Sequence, residues 1–202
     1  MNASSHLQPL KNLHPSDPIV FKGSGEALEV WSCASRMDPR WVWLTSVKDQ
    51  RAITLLPTLI QDLLIPMKSL FFERLAGLHQ GEWRLCPVPP HPKSLLRREI
   101  SPQHHFACAL RAHSRTQSPQ SKIHLSYSPR TLYRSRESLR QRFLSRQLRL
   151  HAQEDSLAAH QVQGPVVLID DVTTTGATLR EATRALKRRG CPQVIALVMF
   201  SA

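Results

Sequence analysis

The sequence predicts an α/β fold, with a mainly parallel central sheet flanked by helices. Its best-marked strand covers residues 166–169, four consecutive apolar residues of which three are β-branched. Such a run is typical of a strand that is buried on both faces of a parallel sheet. A helical pattern follows it, and the apolar run VIALVMF near the C-terminus indicates one more buried strand. Strands that alternate with helices in this way predict an α/β domain.

Length and charge limit the number of domains and the class of partner. A chain of 202 residues is long enough for one domain, or for one domain with an appendage. We divide it into an irregular extension with a short hairpin at residues 1–40 and a main domain at residues 41–202. Lys and Arg outnumber Asp and Glu by 27 to 15, which gives a formal charge of +12. This excess favours anionic partners without choosing among nucleotides, nucleic acids and membrane surfaces.

Two classes of protein are disfavoured by the same sequence. Apolar runs stay well below the roughly 20 residues that span a bilayer, and the N-terminus lacks the apolar core of a signal peptide. We therefore expect a cytoplasmic protein with no membrane partner. The four cysteines are widely separated and form no C-x-x-C pair, so we expect no zinc. Of these, Cys86 and Cys108 lie in apolar stretches and are expected in the core.

Periodicity and turn residues predict the remaining elements. The first part of the chain is predicted to contain a hairpin within residues 19–35, a strand at 41–47 that ends at Lys48, a helix from residue 52 with Pro57 in its first turn, and a helix at 66–78. A strand at 83–88, a helix from Pro102 to about His113 and a short strand at 123–127 follow. A basic helix then starts at Ser128 and Pro129 and carries Leu132 on its apolar face.

The basic helix has three interpretations. It carries seven arginines between Arg130 and Arg149. These could form a solvated charged face, a contact with nucleic acid or with another protein, or a lid over a substrate. Tyr133 and Phe143 are its only aromatic residues, so no platform for stacking bases is evident.

The stretch after residue 169 carries the predicted chemistry. Asp170 and Asp171 end the strand and are followed by a small, hydroxyl-rich loop. Free backbone N–H groups at a helix N-terminus, together with threonine hydroxyls, suit a phosphate. Paired carboxylates can accept hydrogen bonds from sugar hydroxyls and attract Mg²⁺. The predicted substrate-binding residues of the loop are Val172, Thr173, Thr174, Thr175, Gly176, Ala177 and Thr178.

The thirteen residues VVLIDDVTTTGAT resemble the signature of type I phosphoribosyltransferases, which bind phosphoribosyl pyrophosphate (PRPP). The resemblance implies that Asp170 and Asp171 hold the ribose hydroxyls and help to place Mg²⁺, and that residues 174–178 wrap the 5′-phosphate. Enzymes that salvage 6-oxopurines usually carry an aspartate where this chain has Thr174. A hydroxyl does not easily replace that carboxylate, so hypoxanthine or guanine salvage is disfavoured.

A second stretch, CPVPPHPKSLLRREI, resembles the ComF/GntX group of phosphoribosyltransferase-like proteins, which are associated with competence and the use of external DNA. Lys48 matches the pyrophosphate-loop segment of that group, and Leu132 with Arg134 resembles a further short element. The chain departs from the group at residues 99–102, where a glycine and two amides are replaced, and it has no zinc ribbon. The positions shared in the stretch are Pro87, Val88, Pro89, His91, Pro92 and Arg98.

Two functions remain open from the sequence. The first is a Mg²⁺-dependent phosphoribosyltransferase, in which Lys48 and Arg97 or Arg98 neutralise the departing pyrophosphate. No general base is visible, although His91 is a candidate on pKa grounds. The second is a non-catalytic sensor that binds PRPP or a nucleotide, with the basic surface of residues 130–149 on DNA or on a protein of the competence machinery that the resemblance implies. A homo-oligomer is possible under either.

Overall fold

The computed structural model describes residues 18–21, 27–49, 53–90, 101–116, 123–135 and 156–202. Several predicted site residues lie outside these ranges. They are His91, Arg97, Arg98 and most of the basic 130–149 segment.

The described strands form a six-stranded sheet in the order β1-β2-β8-β7-β3-β4, and β5 pairs with β6 in a separate antiparallel ribbon. All neighbours in the large sheet run parallel except β1 and β2, so the predicted mainly parallel sheet is confirmed. The strands are β1 (Ile19–Phe21), β2 (Leu28–Ser35), β3 (Gly81–Pro87), β4 (Ile123–Tyr127), β5 (Leu132–Arg134), β6 (Leu157–Ala159), β7 (Val166–Thr173) and β8 (Val194–Ser201). The helices are α1 (Trp41–Lys48), α2 (Leu56–Leu64), preceded by a 3₁₀ turn at Ile53–Leu55, α3 (Lys68–Leu78), α4 (Pro102–Thr116) and α5 (Ala177–Lys187).

The core consists of two apolar layers on opposite faces of the sheet. One layer packs α1 to α4 against it, through residues such as Leu44, Leu59, Phe71 and Phe106. The other layer consists of α5 and the β5–β6 ribbon, and Leu179 is among its members. The central strands β7 and β8 supply side chains to both layers, which is why their sequences are continuously apolar.

The predicted hairpin is present as β1 and β2. Its second strand pairs in parallel with β8, so the hairpin forms one edge of the same sheet as the strands from residues 41–202. The predicted helices near Pro57, at 66–78 and from Pro102 are also confirmed, although α4 extends to Thr116. The helix after the hydroxyl-rich loop ends with basic residues and Gly190, whose φ of +85° is typical of a helix C-terminus.

Three predictions about elements are wrong. Residues 41–47 form helix α1 and not a strand: Trp41 packs edge-on against Phe200 at 5.5 Å, and this tertiary contact outweighs the β-propensity of the run. The strand before the loop does not end at Ile169, because β7 continues to pair with β8 as far as Thr173.

The third error concerns the start of the basic helix. Residues Leu132–Arg134 form strand β5, which pairs with β6, and β6 itself was not predicted. Its three residues Leu157–Ala159 are too few to show a period in the sequence. Cys86 is buried as expected, whereas Cys108 is exposed on α4.

Among the described residues, no single helix has the length and apolar character needed to cross a membrane. One bent pair, Ile53–Leu64 with Lys68–Leu78 at 62°, meets that test by length and composition together. Leu59, Leu63 and Leu64 of this pair are fully buried in the core.

Candidate functional site

The two aspartates near the end of β7 lie between the two layers of the fold. The Nζ of Lys48 is 2.6 Å from Oδ2 of Asp171, and the two side chains are only 15% and 16% exposed. Lys48 is the last residue of α1, so the structure brings it to the acids from the end of a helix and not of a strand. A nearly enclosed ion pair of this kind is weakly screened by solvent.

Asp170 has an unusual electrostatic environment. Burial, with the charge of Asp171 as the next largest cause, raises the pKa of Asp170 to about 8. One oxygen of its carboxyl group accepts the N–H of Asp171 at 2.8 Å. A negative charge on Asp170 is therefore disfavoured beside Asp171, which pairs with Lys48.

Residues 174–176, which we call the threonine turn, connect β7 to α5. The side chains of Thr174 and Thr175 are exposed, and α5 begins at the next residue but one after Thr175. Within the described part of the chain, the N–H groups of residues 174–176 form no hydrogen bond. Free donors at the N-terminus of a helix can bind an anion. Val172 is half-buried, and Thr173 is buried within β7.

Phe21 and Arg180, which the sequence analysis did not single out, both contact the threonine turn. Gly176 has φ of +68°, and a Cβ at this position would lie 2.9 Å from the ring of Phe21 in β1. Arg180 donates from Nη1 to the carbonyl of Thr175 at 2.8 Å, and its Cζ lies 5.8 Å from the centre of the Phe21 ring. Contacts with Phe21 and Arg180 therefore hold the turn in place.

Arg134, which the sequence analysis noted only for a resemblance, lies across the end of β3. It donates from Nε to the carbonyl of Pro90 and from Nη2 to that of Pro89, both at 3.2 Å. Its Nη1 contacts Oγ of Ser156, also at 3.2 Å. Burial lowers the pKa of Arg134, and the negative charges of Glu181 and Asp170 oppose that shift.

A further polar group surrounds the same strand end. Gln103 donates from Nε2 to the carbonyl of Val88 at 3.3 Å, and the next residue, His104, hydrogen-bonds through Nδ1 to the hydroxyl of Tyr127. Burial raises the pKa of Tyr127 to about 12, so its phenol remains protonated and acts as the donor. These residues come from distant segments without a shared motif, and no sequence signal pointed to them.

The oxygens at the site suit a hard cation. Among the described residues, no group of three or more His, Cys, Asp and Glu side chains could hold a metal ion. Mg²⁺, however, commonly uses one or two carboxylates and completes its coordination with water and substrate phosphates. Asp170 and Asp171 fit this role by donor type.

The comparison with protein families agrees with this geometry. A family model described as the phosphoribosyl transferase domain matches residues 114–202, somewhat less than half of the chain. The matched region contains both aspartates, the threonine turn and Arg134, whereas Lys48 and the first three strands precede it. No curated protein matches the chain. Residues 114–202 are thus similar to a phosphoribosyl transferase domain, and the mostly parallel sheet with helices on both faces gives the chain the α/β fold of the type I phosphoribosyltransferases.

Proposed function

We propose that this protein is a Mg²⁺-dependent phosphoribosyltransferase of the ComF type that uses PRPP. The observation that carries the proposal is the threonine turn, whose three N–H groups form no hydrogen bond with described residues and lie at the N-terminus of α5, three residues after Asp171. A phosphate at the turn and sugar hydroxyls at the acids would follow the order of groups along phosphorylated ribose. The similarity of residues 114–202 to a phosphoribosyl transferase domain supports the same substrate class.

In this proposal each residue has a defined task. The threonine turn binds the 5′-phosphate through N–H groups and hydroxyls, and Asp171 accepts hydrogen bonds from the ribose. Bound Mg²⁺ would supply positive charge that neutralises the pyrophosphate, held in part by Asp170 and Asp171. Lys48, which now pairs with Asp171 at 2.6 Å, would exchange this partner for an oxygen of the pyrophosphate. The bond from the anomeric carbon to pyrophosphate breaks as the acceptor attacks, and positioning with charge stabilisation drives the step.

A PRPP or nucleotide sensor is the second candidate. It is favoured by the ion pair of Lys48 with Asp171, which neutralises this acid without a substrate. The replacement of a glycine and two amides at residues 99–102, relative to the ComF group, also favours it. A sensor would bind PRPP in the same place but would release no pyrophosphate.

Calorimetry with PRPP, with and without Mg²⁺, tests both candidates, and a pyrophosphate-release assay against a panel of bases separates them. The transferase is supported if wild-type protein releases pyrophosphate with at least one base. Saturable binding that Asp171→Asn weakens, with no release for any base, supports the sensor. If no binding is detected in millimolar PRPP and Mg²⁺, both candidates fail.

We also propose a cytoplasmic location and a link to competence. The location is supported by four free cysteines, the usual state in a reducing compartment. The link rests on the resemblance to the ComF group and on the formal charge of +12. A gel-shift assay with single-stranded DNA at low and high salt tests it, since a phosphate-binding surface loses affinity steeply as salt rises. Replacing the arginines of residues 130–149 by alanine should abolish the shift.

A further inference from the structure

We propose that Arg134 is a positioning residue that ties the segment after β3 to the helix that carries the threonine turn. Through Ser156 and Glu181, it would hold the two sides of the substrate site at a fixed separation. The expected effect on PRPP rests on the proposed function. The mechanical link itself does not.

The first half of the link is at the end of β3, in residues 88–90. This segment begins beside the acids, because the N–H of Val88 donates to the carbonyl of Ile169 at 2.8 Å. Arg134 then holds the carbonyls of Pro89 and Pro90 with two different nitrogens. Neither proline has an N–H to anchor the segment in a sheet, so the guanidinium takes over that role. The position of Pro89 and Pro90 therefore depends on Arg134.

The second half of the link leads to α5. Ser156, which accepts from Arg134, donates its own hydroxyl to Oε2 of Glu181 at 3.0 Å. The other oxygen of Glu181 accepts the N–H of Leu157 at 2.8 Å. Glu181 lies one turn into the helix that begins at the threonine turn. A displacement of Arg134 would thus be transmitted to the start of α5 through two hydrogen bonds, of 3.2 and 3.0 Å.

The chemistry of the link requires an arginine. A guanidinium offers five N–H donors in a rigid plane, and three of its nitrogens are used here on three separate acceptors. A lysine ammonium cannot reach acceptors spread in this way. The cation also lies on the opposite layer from Lys48, within range of the charge of Asp170.

Hydrogen exchange measured by mass spectrometry tests the link without any ligand. Amides of residues 180–183, the first hydrogen-bonded turn of α5, should exchange about tenfold faster in Arg134→Met and in Glu181→Gln than in wild-type protein. Arg130→Met is the matched control, since Arg130 is an exposed arginine four residues away and should leave the exchange unchanged. Ser156→Ala removes only a hydroxyl and replaces Arg134→Met if that variant does not fold. Unchanged exchange in a folded Arg134→Met or Ser156→Ala variant would overturn the proposal.

Chemical rescue distinguishes positioning from a general loss of stability. In Arg134→Ala, added methylguanidinium should fill the vacated space and restore slow exchange of residues 180–183, and alkylamines of similar size should not. A restored PRPP affinity in the same titration would extend the link to the substrate. If wild-type protein does not bind PRPP, the proposed function fails while the exchange result still decides the link. Absence of rescue in a folded Arg134→Ala variant counts against the specific role of the guanidinium.

Discussion

Replacing Gly176 by alanine would disturb the threonine turn in two ways that can be separated. The residue has φ of +68°, and an added Cβ would meet the Phe21 ring at 2.9 Å. The left-handed conformation costs an alanine about 1–2 kcal/mol. The contact requires the ring or the turn to move, and overpacking of this kind costs about 1–3 kcal/mol. We expect Gly176→Ala to lower the free energy of unfolding by about 2–5 kcal/mol in total.

Two other glycines provide matched controls for this variant. Gly190 has φ of +85°, and an added Cβ there would meet nothing within 4 Å, so Gly190→Ala should show the backbone cost alone. Gly77 lies inside α3 with open space around it, and Gly77→Ala should stabilise the protein by about 0.5–1 kcal/mol.

Urea denaturation followed by circular dichroism measures all three variants. The expected order of stability is Gly77→Ala, wild type, Gly190→Ala and Gly176→Ala. Adding Phe21→Ala should cost less in the Gly176→Ala background than in wild-type protein, because the small side chain relieves the contact. If Gly176→Ala is no less stable than Gly190→Ala, the Phe21 ring does not confine the threonine turn and the reasoning is refuted.

Three further predictions concern the acids and the polar group near β3. Lys48→Met should destabilise the fold by roughly 1–3 kcal/mol in urea denaturation, because it leaves Asp171 unpaired in a nearly enclosed site. In a Lys48→Met/Asp171→Asn double variant the loss of stability should be smaller than the sum of the two single losses, and a loss equal to that sum would contradict this reasoning. The raised pKa of Asp170 means that the folded state binds more protons than the unfolded state between pH 4 and 8, so wild-type stability should fall as pH rises through this window. Asp170→Asn should lack this component and gain on wild type by pH 9, and equal pH profiles from thermal melts would count against the shift. Tyr127→Phe removes the hydrogen bond to His104 and should cost about 1 kcal/mol in the same assay, whereas no loss would show that the bond is not formed in solution.

The parts of the fold that could be predicted from the sequence are those with local signals. The continuous apolar runs of β7 and β8 reflect burial on both faces, and Gly190 marks the end of α5 within a few residues of the helix it terminates. The prediction for residues 41–47 failed because aromatic and β-branched residues favour strands until a distant partner, here Phe200, selects a helix. Leu132–Arg134 became a strand only through pairing with β6, a segment well separated from it along the chain.

Some residues of the candidate site could also be predicted from the sequence, and others could not. The aspartates and the threonine turn are contiguous, so their order along the chain is also their order in space. Lys48 was placed near the acids by resemblance, and the structure brings it there from a different element than expected. Phe21 and Arg134 act through contacts with residues far away in the chain. Such contacts leave no pattern in a single sequence, and only the fold reveals them.

The most direct test of the account follows the backbone N–H groups of Thr174, Thr175 and Gly176 by NMR during titration with ribose 5-phosphate. A phosphate bound at the threonine turn should move these three resonances downfield in a saturable manner, while ribose at the same concentration should not. Shifts confined to other parts of the protein, or equal responses to ribose and ribose 5-phosphate, would contradict the claim that the turn is a phosphate site.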